Sequence, residues 1–355
     1  MSSENGLTAA STGEPPAGES TGGPAADAPL LEVADLRVEF HQGGQVVRAV
    51  DGLTYTVPRG RTVGLIGESG CGKTVSSRAI MALLPQSAHV TGSIRFEGTE
   101  LVGMSDRRMR SVRGSQIAMV FQDPARSLNP TVRIGPQITE AIHLHNDVSK
   151  AEAFDRAVEL MELVRLPAAR ERFRQYPHQL SGGMRQRVMI AIALAAQPKL
   201  LIADEATTAL DVTTQAQIME LLRDLQQRLG MALIMISHDL GLAATFADEV
   251  LVMYAGRGVE RAPTRKLFEH VRMPYTRALL DAIPRLENPP HAPLAAVPGQ
   301  PPDLAREQVG CPFSPRCPNV TDHCRQHMPP FEEQEPGHLW ACWHPCGLTA
   351  RGEAS

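Results

Sequence analysis

The chain has 355 residues, 43% of them apolar, and a formal net charge of -4; that length suits one large domain with an appendage, or two domains, around a core that needs no disulfides. Four acids (Glu4, Glu14, Glu19, Asp27) and no Lys or Arg lie in residues 1–30, so the remaining body is near neutral and lacks the electrostatic footprint of a nucleic-acid binder. With no run of 18 or more apolar residues and no basic-then-apolar start, neither a spanning helix nor a secretory signal is expected, and the chain is expected to be soluble and to stay where it is made.

Residues 1–29 hold almost nothing apolar to offset the entropy of ordering, and a disordered tail is expected ahead of a main domain at 30–283. Strand character begins with Leu31, Val33, Leu36, Val38 and Phe40 and returns over Val46–Val57, which predicts an antiparallel edge sheet. From Thr62 onward short apolar runs each end in a polar or Gly-rich corner and lead into a helical pattern. They are Val63–Ile66, Ile117–Phe121, Leu200–Ala203 and Ala232–Ile236. Such runs read as parallel strands buried on both faces of an α/β fold, with ligand chemistry at their carboxyl ends.

The first run opens into Gly67-Glu68-Ser69-Gly70-Cys71-Gly72-Lys73-Thr74, and a helical pattern starting near Val75 follows. Strand, Gly-x-x-x-x-Gly-Lys-Thr loop and helix together make a P-loop. Gly67, Gly70 and Gly72 allow backbone N–H groups of the loop, including those at Ser69, Cys71 and Val75, to converge on phosphates at the helix N-terminus. Lys73 reaches the β- and γ-phosphates, and Thr74 ligates Mg²⁺.

Asn129–Tyr176 has helical apolar spacing (Ala157, Leu160, Met161, Val164) and no strand signal, which predicts a helical subdomain, about 129–182, inserted in the α/β core. Leu180-Ser181-Gly182-Gly183-Met184 is a second Gly-containing loop at a helix start, and so a second anion site. One triphosphate does not need two separated helix ends, so this loop is expected to cap the nucleotide of a partner subunit. Leu200–Glu205 is an apolar strand ending in two acids. In the order set by the P-loop, Asp204 holds Mg²⁺ through water and Glu205 polarises the attacking water.

A last strand (Val250–Tyr254) and two short helices ending near Ile283 close the core. Residues 284–348 are expected as a Pro-rich extended linker, Pro284–Pro302, followed by a cysteine-rich extension, with a tail at 349–355. Cys311, Cys317, Cys324 and Cys342 are separated by five, six and seventeen residues, with Cys346 beside them. Thiolates in this number suit Zn²⁺ or an iron–sulfur cluster, although no close Cys-x-x-Cys pair is present; free thiols packing a small lobe are the alternative.

These motifs, in this order across Leu31–Ala262, resemble the ATP-binding subunits of ABC transporters. The resemblance implies a RecA-like P-loop NTPase fold with an antiparallel β edge. Leu180–Met184 matches the family signature, with Met184 where Gln is commoner. By the same resemblance Gln122, in Val120-Phe121-Gln122-Asp123, touches Mg²⁺ or the water and senses the membrane subunit. Asp211, in Ala209-Leu210-Asp211, crosses the dimer interface, His238 holds the γ-phosphate, and Phe40 stacks on adenine with Val47 able to share that surface. The implied catalytic set is Glu205, His238 and Gln122.

The cysteine-rich segment, with Pro274-Tyr275-Thr276-Arg277-Ala278-Leu279-Leu280, resembles the C-terminal extension of the oligopeptide and dipeptide importers. There four cysteines are associated with a [4Fe–4S] cluster, which by position implies Cys311, Cys317, Cys324 and Cys342, leaving Cys346 spare. The implied protein is the ATP-hydrolysing motor of a peptide importer at the cytoplasmic face of the cell membrane. Its implied partners are a second identical or homologous ATPase subunit, two transmembrane permease subunits and an extracytoplasmic peptide-binding protein; no nucleic acid is among them. A nickel or glutathione importer motor is the alternative reading. A non-transport ABC ATPase or a redox-sensing regulator fits less well.

Overall fold

The computed structural model describes residues 28–207, 210–283 and 297–347. The expected disordered tail up to residue 27, Ala209 of the interface motif, residues 284–296 of the Pro-rich linker and the tail at 349–355 lie outside the described residues.

In chain order the strands are β1 (Leu31–Gln42), β2 (Gln45–Val57), β3 (Thr62–Ile66), β4 (Ala88–Phe96), β5 (Thr99–Glu100), β6 (Ile117–Val120), β7 (Leu200–Asp204), β8 (Ala232–Ser237), β9 (Glu249–Tyr254), β10 (Arg257–Pro263), β11 (Glu332–Glu335) and β12 (His338–Trp340). They form a four-stranded sheet, β2-β1-β4-β5, and an eight-stranded sheet, β11-β12-β10-β9-β3-β8-β7-β6. Within the larger sheet β9, β3, β8, β7 and β6 run parallel, while β10, β12 and β11 continue it antiparallel.

The continuous apolar runs are buried on both faces, as their composition requires. Along β7, Leu200 and Ile202 face the core shared with the antiparallel sheet, whereas Leu201 and Ala203 face the core shared with the helical insertion. β6 and β8 alternate in the same way. Each such Leu or Ile removed from water contributes about 1.5–3 kcal/mol, so the strands are held from both sides. Their carboxyl ends are fixed in consequence.

The insertion is helical throughout its regular elements: Ile134–His145, Lys150–Leu163 and Ala169–Arg172. Ile134, Ile138 and Ile142 lie one turn apart and are fully buried, forming a stripe that packs with Ala153, Ala157 and Met161 of the next helix. Ser149 caps that second helix, its hydroxyl accepting from Glu152 N at 3.2 Å.

The sequence assigns no strand to the cysteine-rich segment, yet β12 pairs with β10, aligning Trp340 with Glu260 and Leu339 with Arg261. The segment thus forms the edge of the main sheet. At this seam His338 Nε2 lies 2.9 Å from Glu260 Oε1, and both side chains are fully buried. The Glu260 carboxylate also accepts from Arg272 N and Met273 N at 2.6 and 3.1 Å. Among the described residues no helix is long and apolar enough to cross a membrane.

Candidate functional site

β3 delivers Gly67–Thr74 at its carboxyl end, and the helix Lys73–Ile80 begins inside the loop. Gly72, the N-cap, has φ 102°, and a Cβ there would stand 2.3 Å from Ala49 O. Gly67 is equally confined, since its Cβ would meet Met253 O at 2.3 Å. Only glycine satisfies both the left-handed backbone at Gly72 and these approaches. Ser69 and Gly70 stand exposed at the crest of the loop, whereas Cys71 is buried and Val75 packs against the core behind it.

Lys73 is 4% exposed. Its ammonium donates to Gly67 O at 2.8 Å, Glu68 O at 2.9 Å and Cys71 Sγ at 3.7 Å, so neutral acceptors surround a buried cation. A buried charge needs compensation, and this one stands inside a loop of converging N–H groups. That is a site built for an anion.

β7 brings two acids to the same place. Thr74 Oγ1 donates to Asp204 Oδ1 at 2.8 Å, which places a hydroxyl and a carboxylate together, hard oxygen donors of the kind Mg²⁺ takes. Burial pushes the Asp204 carboxyl above its usual range, against the Thr74 hydrogen bond and the charges of Arg78 and Lys73, and Glu205 adds to the rise. A cation bound there would reverse that balance. Glu205 follows at φ 47°, its N–H held by Ile236 O at 3.1 Å. Gln122 Nε2 donates to its Oε2 at 2.7 Å, and His238 Nδ1 lies 3.8 Å from its Oε1. The ends of β6, β7 and β8 therefore converge on one carboxylate beside the P-loop.

The remaining expected residues stand elsewhere. Ser181 caps the helix Gly182–Ala193, accepting from Met184 N at 3.3 Å. A Cβ on Gly182 would meet Leu210, and one on Gly183 would meet Thr214, so the second glycine loop lies against the start of the helix Val212–Leu229. Asp211 caps that helix: Thr214 N and Oγ1 donate to its carboxylate at 2.9 and 2.8 Å and hold it below its usual range. Phe40 is half-buried in β1, paired with Val47 and Ala88.

The metal expectation for the C-terminal segment is overturned. Cys311, Cys317, Cys324 and Cys342 border one pocket with Phe313, but among the described residues no three or more His, Cys, Asp or Glu side chains are arranged to hold a metal ion. Neither an iron–sulfur cluster nor zinc is supported. Burial pushes the Cys311 thiol up to about 11 and Cys342 up to about 12, and raises Cys317 and Cys346. Burial thus disfavours their thiolate forms, and none of them is in a disulfide. Besides the pairing of β12 with β10, the segment is tied to the core by Arg316, bound bidentately to Glu68 of the P-loop, and Tyr275 Oη accepts from Glu68 N. Sequence reading missed all three, because Glu68 is a variable position of the loop motif and Arg316 is hidden between a proline and a cysteine.

The family model described as "ABC transporter" matches residues 50–208, and "Oligopeptide/dipeptide transporter, C-terminal region" matches 259–324. The chain is 49% identical over 316 residues to the oligopeptide transport ATP-binding protein OppD of Salmonella typhimurium, covering 89% of this chain and 94% of that protein. It is 48% identical to the probable peptide ABC transporter ATP-binding protein y4tR of Sinorhizobium fredii, over 88% of this chain and 94% of that protein. Among solved structures it is similar to the ATP-binding cassette MJ0796 in a dimeric post-hydrolysis state with ADP and Pi. That likeness has TM-score 0.60 and 26% identity, and covers 66% of this chain and 99% of the other.

Proposed function

This chain belongs to the ATP-binding subunits of ABC transporters, closely related to the oligopeptide and dipeptide importer ATPases, and from that premise we propose how its residues share the work and what it moves. It is the ATP-hydrolysing motor of an ABC importer. The cargo is a peptide, which this chain does not touch, and the motor works at the cytoplasmic face of the membrane. It is docked on two permease subunits served by an extracytoplasmic binding protein, and it is paired with a second ATPase subunit.

The observation that carries the assignment of roles is the convergence of Gln122, Glu205 and His238 beside the Thr74–Asp204 pair and the buried Lys73 ammonium. The P-loop N–H groups and Lys73 hold the phosphates, and Phe40 supplies the face for the base. Thr74, Gln122 and, through water, Asp204 would hold Mg²⁺, which would supply charge neutralisation on the phosphate oxygens. Glu205 accepts from the attacking water and His238 steadies the γ-phosphate. Gln122, which donates to Glu205 in this structure, orients that carboxylate. Positioning and charge stabilisation supply the catalysis. The Ser181-Gly182-Gly183 loop and Asp211 complete the partner's site across the dimer.

Purifying the assembled transporter from membranes, identifying its subunits and measuring ATP turnover against cargo tests this reading. Stimulation by peptides, delivered with the co-purified binding protein, is the expected result. Stimulation by nickel or glutathione alone defeats the peptide assignment.

A further inference from the structure

We propose that Arg316 is a positioning residue for the phosphate-binding loop: reaching from the cysteine-rich segment, it grips Glu68 and so sets the geometry in which the loop receives ATP. The proposal rests on the reading of Gly67–Thr74 as the ATP site, and adds that the site is incomplete without a side chain 248 residues downstream of it.

Arg316 has five N–H donors, and all five are engaged. Nε donates to Pro298 O at 2.7 Å, and Nη1 to Glu68 Oε2 at 2.7 Å and Tyr254 Oη at 3.2 Å. Nη2 donates to Glu68 Oε1 at 2.9 Å and Val297 O at 3.1 Å. The guanidinium side chain is 2% exposed, and that of Glu68 is 24% exposed. A fork-to-fork contact fixes the plane of the carboxylate as well as its distance, which a lysine cannot do. Beneath it Tyr254, Tyr275 and Phe313 form an aromatic floor with centroids 4.5–5.4 Å apart. The grip therefore stands on rigid ground.

What makes this more than a docking contact is the use made of Glu68. Its carbonyl is one of the acceptors holding the Lys73 ammonium, its N–H is held by the Tyr275 hydroxyl, and its carboxylate is held by Arg316. One loop residue thus links the cation that meets phosphate to two supports from the C-terminal part of the chain. Loss of the grip frees Glu68, and with it the placement of Lys73. A contact serving only to dock the C-terminal segment would change stability and leave nucleotide affinity alone.

The test is a double-mutant cycle in the full chain with Arg316→Lys, Glu68→Gln and both together. It reads the affinity for the Mg²⁺ complex of a non-hydrolysable ATP analogue and the nucleotide-free thermal midpoint. Each single change is expected to weaken binding about tenfold, in line with a lost charge-assisted hydrogen bond. The double variant is expected to bind no worse than the weaker single, because both remove the same contact. Single variants that bind within twofold of the parent, or effects that multiply, overturn the proposal. Should Arg316→Lys fail to fold, Glu68→Gln, altered at a partly exposed side chain, decides it by the same criterion. Lys73→Ala is run in parallel: undiminished binding there defeats the ATP-site reading itself, which separates that failure from failure of the grip.

Discussion

Asp204 and Glu205 are adjacent in sequence and differ in surroundings, and their differences are open to measurement. Asp204 ends β7 with 3% exposure, and burial holds its carboxyl above the ordinary value. The nucleotide-free folded chain therefore keeps this proton at pH values where the unfolded chain has released it. Stability falls as pH rises from the ordinary aspartate range through the raised value, and levels off above it. Asp204→Asn removes the buried charge, so its nucleotide-free thermal midpoint at neutral pH is expected above that of the parent, with a flatter pH profile. Its Mg²⁺-dependent ATP binding is expected to be weaker. A midpoint equal to or below the parent's contradicts the account. Glu205→Gln keeps size and shape but cannot polarise water. ATP binding by this variant should stay within a few-fold of the parent while steady-state hydrolysis drops by roughly 10²–10³; equal turnover would remove Glu205 from its role.

At the scale of elements, Gly72→Ala tests whether the loop backbone is as constrained as it looks. The new Cβ meets both a φ of 102° and the carbonyl of Ala49 at 2.3 Å. Backbone strain of this kind costs about 1–3 kcal/mol before the clash is counted, so nucleotide affinity should fall at least tenfold and the thermal midpoint should drop with it. The P-loop was legible because its requirements are local, with glycines, lysine and threonine in one short stretch after a buried strand. β6, β7 and β8 were legible because burial on both faces forces continuous apolar runs. β4 was not: its burial alternates weakly, and Gly92, at φ 90° with a would-be Cβ 2.3 Å from Asp35 O, breaks the pattern at a shift of register. β12 has three residues and is a strand because β10 and β11 pair with it on either side. The cysteines misled for a related reason, since spacing along a chain does not specify whether thiols bordering one pocket are arranged to hold a metal ion. The Glu68–Arg316 pair joins residues 248 apart, and no window of sequence contains it.

Over the whole molecule two seams bear on behaviour, one inside the chain and one that the proposed pairing with a second ATPase subunit would form. The inner seam is His338 against Glu260, where the C-terminal edge of the main sheet meets β10. His338→Ala strips a fully buried partner from a buried carboxylate, a change that costs about 3–5 kcal/mol when nothing replaces the lost contact. Two backbone N–H groups still reach Glu260, so the low end of that range is expected in chemical denaturation. Because the segment is part of the sheet, loss should appear as one cooperative transition. A separate early transition with the core unaffected would show that the segment is an independent lobe.

The outer seam concerns the second glycine loop. Ser181 is exposed and its hydroxyl serves its own helix start, while Gly182 and Gly183 lie against Leu210 and Thr214. Nearby Val212 is 83% exposed, an apolar side chain beside Asp211 on a surface that a partner subunit could cover. If the loop served this chain's own nucleotide, a bulky residue there would abolish binding by the isolated chain. If it completes the partner's site, Ser181→Arg should leave the isolated chain's affinity for ATP within twofold of the parent. In the assembled transporter the same change should lower hydrolysis at least tenfold, because the added side chain occupies the space of the partner's phosphates and removes a hydroxyl where charge develops. Binding measured on the chain alone and turnover measured on the assembly separate the two geometries, and loss of binding in the isolated chain would assign the loop to its own site.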